Sequence, residues 1–161
     1  MDSAREVREV ANYHFDFALF WYSNALKNVA GDLIQQCIDN CTEAMSTYLK
    51  SYQGFGESKP YFETAKTYTK NGRYIEVLGY YIEFANTGMN ITLLRYSASD
   101  YLKRAAENLS LGNMENFALL MENYTLTEDL YTQGLQGPQG YNDLKNQIDG
   151  YLLFDPIREP H

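Results

Sequence analysis

Apolar residues recur along the first third of the chain in steps of three and four: Ala4, Val7, Ala11, Phe15, Leu19, Tyr22, Leu26, Val29, Leu33, Cys37, Cys41, Ala44, Tyr48 and Tyr52. A helix turns once every 3.6 residues, so only such steps keep side chains on one face, and the spacing predicts helix from Ala4 to Tyr52. Two forms are open to it. An unbroken helix would span roughly 70 Å at 1.5 Å of rise per residue, and the absence of proline favours that form. A bend near Gly31-Asp32 would divide it, since Asp32 and Gln35 have the spacing of a capping box that restarts a helix. From Phe15 to Tyr22 apolar side chains take up most of the circumference, which predicts burial on all sides, in the domain centre or against a partner.

Beyond Tyr52 the punctuation changes. Gly54 and Gly56 predict a helix exit, Glu57 to Pro60 a linker, and Pro60 the first residue of a short helix to about Lys70. Asn71-Gly72 predicts a sharp break. A second long stripe follows from Arg73 to about Leu111, carried by Tyr74, Val77, Tyr81, Phe84, Ile91, Ala98, Leu102 and Leu109, with Gly88 as a stop and restart or a weak point. Leu111-Gly112-Asn113 predicts a corner, and Met114 to about Tyr131 a helix with Phe117, Leu120, Met121, Tyr124 and Tyr131 on one face. After the glycine-rich loop 134–140 comes a last helix, Tyr141 to Leu153, and 152–161 reads as a C-terminal tail. The expectation is a single all-α domain over 1–161: an elongated helical bundle of four to five helices with a very long N-terminal helix and short helical hairpins.

Composition narrows the function. Of 161 residues 45% are apolar and 15% aromatic, which excludes a disordered chain. The net charge of −8 repels phosphate backbones and argues against nucleic acid. Charge is uneven: Lys50 to Arg73 holds five bases against Glu57 and Glu63, whereas Ala105 to Ile157 holds Lys145 against eight acids. The densest apolar run, Phe15 to Tyr22, contains Asp16 and is far shorter than the roughly 18–20 residues of a membrane span. With no signal or anchor in the chain as given, its compartment is open. Four sequons, at Asn40, Asn90, Asn108 and Asn123, fit an extracytoplasmic setting if the chain is an excised fragment.

The chemistry is sparse. The two histidines are His14 and His161, and no Glu-x-x-His, phosphate-cradling or dinucleotide motif occurs, so neither an enzyme nor a metal or cofactor is expected. A small enzyme or metal protein would have to rest on His14, Asp16 and the cysteines. Cys37 and Cys41 lie on one helical face, too divergent for a mutual bond; they read as small buried apolar residues, with a disulfide to a second copy as the alternative.

Fifteen tyrosines stand out, since each joins an apolar ring to a hydroxyl that seeks a partner. In and beside the basic stretch, Tyr68, Arg73, Tyr74 and Tyr81 are the candidate binding residues for a peptide or small ligand. Phe17, Phe20 and Trp21, with Cys37 and Cys41, are the candidate interface. Residues Ala65 to Val77, with Gly72 at the turn and Tyr74 two after it, resemble the middle of a tetratricopeptide repeat, echoed at Ala105 to Phe117. The corners lie 40 apart rather than the family's 34. That resemblance implies a helical-hairpin scaffold for a peptide or protein. The residues themselves point first to a non-catalytic interaction or sensory, ligand-binding domain whose partner is another protein or a second copy in a homodimer.

Overall fold

A computed structural model of the protein describes residues 2–27 and 31–154. Five helices follow in order: α1 (Asp2–Lys27), α2 (Gly31–Tyr68), α3 (Gly72–Leu111), α4 (Met114–Leu135) and α5 (Tyr141–Phe154). No strand occurs among the described residues, and the chain is an all-α bundle.

The first stripe is shared between two helices rather than carried by one. Ser51 Oγ donates to the Ala4 carbonyl at 2.7 Å and the Tyr48 hydroxyl to Asn12 Oδ1, so α2 runs back antiparallel along α1. The division falls near Gly31-Asp32; Val29 lies outside the described residues. Its physical reason is side-chain size. Ala4, Ala11, Ala18 and Ala25 recur every seventh residue and are all buried. Small residues let two backbones come close enough for a hydroxyl to reach a main-chain carbonyl. Folding back hides both apolar faces, which a straight helix would leave in water.

The expected exit at Gly54 and Gly56 and the linker before Pro60 are instead continuous helix to Tyr68. These glycines mark close approach, not termination: a Cβ on Gly54 would stand 3.0 Å from that of Ala4, and one on Gly56 would stand 3.4 Å from Met89 Cε. Pro60 sits exposed inside the helix and forgoes one ladder bond. Packing on both sides of it carries the helix through, with Phe55 buried and Phe62 stacked on Tyr81 at 4.8 Å.

At the Asn71 break the side chain accepts from the amides of Arg73 and Tyr74 and caps α3. That helix runs 40 residues straight through Gly88. Gly88 is neither a stop nor a weak point, because a Cβ there would enter the Phe55 ring at 2.7 Å. Gly112, at φ 73°, ends α3 in the left-handed conformation that glycine tolerates, and Asn113 caps α4. The tetratricopeptide likeness stops at the corner: α2 and α3 have 38 and 40 residues, whereas two helices and a turn share 34 in that family.

The α2–α3 hairpin is the spine. One half is completed by α1 and α4, around Phe15, Cys37, Cys41, Tyr48, Ala98 and Leu102. The other half is covered by α5, whose Tyr141 stacks on Phe84 at 4.6 Å and meets Phe55 edge-on. Helix persists to Phe154, past the expected start of the tail at 152; residues 155–161 lie outside the described part.

Gly88→Ala is expected to lower Tm by about 5 °C despite alanine's better helix propensity, because overpacking costs about 2 kcal/mol. Gly150→Ala, where a Cβ meets nothing within 4 Å, is expected to raise Tm by a degree or two. Thermal melts followed by circular dichroism decide both signs.

Candidate functional site

Where α1 faces α4, three pairs stand seven residues apart on both helices: Arg8 with Tyr131, Phe15 with Tyr124, and Tyr22 with Phe117. This is antiparallel heptad packing with large knobs, in contrast to the alanine seam toward α2. Arg95 of α3 reaches into it. Its guanidinium lies 3.9 Å from the Tyr131 ring centroid and 4.6 Å from that of Phe15. Its Nε stands 2.8 Å from Glu128 Oε1, yet the N–H is not aimed at that oxygen, so the contact is charge attraction rather than a directed hydrogen bond. Its Nη1 donates to Asn12 Oδ1 at 3.4 Å, the oxygen that also takes the Tyr48 hydroxyl. Arg8 donates to the Tyr131 hydroxyl at 2.8 Å and lies over the Tyr141 ring at 4.5 Å.

This cluster is a polar lock joining all five helices. Burial pushes the Glu128 carboxyl above the ordinary glutamate range, Arg95 pulls it back only in part, and the Asp16 and Asp129 charges add to the rise. Sequence reasoning missed it because Val7 and Leu94 were the better apolar matches beside Arg8 and Arg95. The heptad begun by Ala4, extended through position 8 to 11 and 15, was the signal that could have found Arg8.

The candidate binding residues gather at the far end of the hairpin. Tyr68 is 82% exposed at the end of α2, Arg73 is exposed in the first turn of α3, and Tyr74 is half-buried. Tyr81 is stacked on Phe62 with rings 12° from parallel, so its ring is committed to helix packing. A cleft of about 380 Å³ at this end is lined by other residues, among them Lys66, Glu76, Tyr80 and Leu144.

The candidate interface residues separate into two groups. Cys37 and Cys41 are fully buried in the core of their own chain and unbonded, as expected of small buried apolar residues; this corrects their alternative placement at a seam between copies. The neighbouring Cys37 and burial push the Cys41 thiol up, away from the reactive thiolate. Trp21 is half-buried against the core, with Phe20 edge-on at 5.1 Å. Phe17 and Phe20 point outward, 40% and 55% exposed. They are joined by Val10 and Tyr13, and Tyr13, Asp16, Phe17 and Phe20 line an apolar cleft of about 280 Å³. His14, half-buried on the same helix, is not among the cleft's lining residues.

Compared with known proteins, the chain matches no protein family, no curated protein and no solved structure.

The raised Glu128 carboxyl has a defined pH consequence. Folded Glu128 holds its proton to higher pH than the unfolded chain does, so its contribution to stability is lost as pH rises above the ordinary glutamate range. The wild type is expected to melt at a higher temperature at pH 5 than at pH 7. Glu128→Gln should flatten that difference, and equal slopes in the two proteins would contradict the assignment.

Proposed function

We propose that this chain is a non-catalytic helical interaction module that docks a partner helix along the outward face of α1. One observation carries the reading: Val10, Tyr13, Phe17 and Phe20 form a continuous apolar stripe in water on the side of α1 away from the core. Scattered exposed apolar residues need no explanation, but a contiguous aromatic stripe on a helix marks a contact surface. Aromatic rings suit such a surface because they bury a large area at little loss of side-chain freedom. The cleft between Tyr13, Phe17 and Phe20 is shaped to receive one apolar side chain of a facing helix, in the manner of a knob entering a hole.

The stripe differs from the core in what its loss would do. Phe17→Glu combined with Phe20→Glu is expected to keep full helicity and to shift Tm by no more than about 3 °C, because surface changes cost within about 0.5 kcal/mol each. A fall beyond about 10 °C would show the rings to be core and would overturn the reading. Circular dichroism melts of the full chain give the answer.

A further inference from the structure

We infer that the occupant of this face is a second copy of the same chain, docked antiparallel along α1. The inference rests on the reading of the stripe as a docking surface and names its partner. Two heptad seams run along α1. The inner one, Ala4, Arg8, Ala11, Phe15, Ala18, Tyr22 and Ala25, is spent on the fold. The outer one is displaced from it by two residues, about 200° round the helix. It reads Glu6, Val10, Tyr13, Phe17, Phe20, Asn24 and Lys27, in unbroken steps of four and three. That is the spacing of a coiled-coil seam, with an apolar centre and a charge at each end.

The end charges select the partner and its direction. Glu6 and Lys27 are both exposed and of opposite sign, at the two ends of the outer seam. Laid parallel, two copies would set Glu6 against Glu6 and Lys27 against Lys27. Laid antiparallel and centred on the aromatic residues, they set each Glu6 within a turn of the other copy's Lys27, twice by symmetry. Tyr13, Phe17 and Phe20 of one copy then meet the same three of the other, ring against ring. The helix dipoles also oppose favourably in this arrangement. Asp16 flanks the stripe near the dyad and faces its own counterpart, which is the one like-charge cost.

Sedimentation equilibrium on the full chain tests this, with the single tryptophan, Trp21, beside the stripe as a fluorescence reporter. One helix face is a small interface, so association is expected in the range of about 1–100 µM. Glu6→Lys and Lys27→Glu should each weaken it about five- to tenfold, since each turns two attractive pairs repulsive, and the double variant should restore it. Asp16→Asn should tighten it about twofold. A wild type that stays monomeric at about 500 µM would overturn the inference. So would a dimer indifferent to the single reversals, or one that the double reversal fails to restore. The underlying reading fails differently: if Phe17→Glu with Phe20→Glu unfolds the chain, the stripe is core. If that variant stays folded while the wild type is monomeric, self-pairing alone falls.

Discussion

The close approach of α1 to α2 is the constraint on which the remaining structure depends. It is made by what is absent: four alanines at seven-residue intervals carry no bulk, so the two backbones come together until Ser51 can bond the Ala4 carbonyl. Alanine removes little apolar area from water, so this seam gains its hold from packing and from polar bonds rather than from area. Leaning toward α2, α1 stands off from α4, and that gap is filled by paired rings and by the Arg8 and Arg95 guanidinium groups. One helix thus has a thin seam on one side and a thick one on the other.

The same logic governs the spine. Gly88 lets the Phe55 ring press against the α3 backbone, and Phe55 in turn anchors Phe84 and Tyr141. Ile91 meets Gly134 of α4 in the same way, where a Cβ would stand 2.7 Å from Ile91 Cγ2. Glycine within these helices is therefore a packing residue, and the helices continue through it because tertiary contact outweighs a propensity loss of about 1 kcal/mol. The polar lock sits between the two halves of the bundle, where Tyr131 touches both Arg8 and Arg95. A charged cluster placed there fixes register, since sliding any helix by one turn would strand a buried charge.

Much of the fold was legible in the sequence. The helical class, the Asn71 and Gly112 corners, the α3 stripe and the last helix all follow from periodicity and capping chemistry. What misled was size. Leu19, Leu26 and Tyr52 are larger than Ala18, Ala25 and Ser51, yet the latter three are buried and Leu26 is half in water. A rule that prefers the larger neighbour misses a seam built from small residues. Gly54, Gly56 and Pro60 misled for a related reason, because their breaking tendency is local and the packing that overrides it is not. At the candidate site, the all-round apolar circumference pointed to Phe17 and Phe20 but predicted burial, whereas in this chain both rings stand half in water. The burial of both cysteines was legible, since small apolar side chains on one helical face belong in a core.

An outer heptad face on a helix already committed to a core is the feature on which the proposed role in association rests. The most direct test is amide hydrogen exchange of the full chain at two protein concentrations, about 1 and 200 µM. Docking through α1 predicts that the amides of α1 slow markedly at the higher concentration, because binding the folded form adds to the free energy of local opening. Those of α5, on the other half of the spine, should change little. Equal protection of α1 at both concentrations would contradict the account.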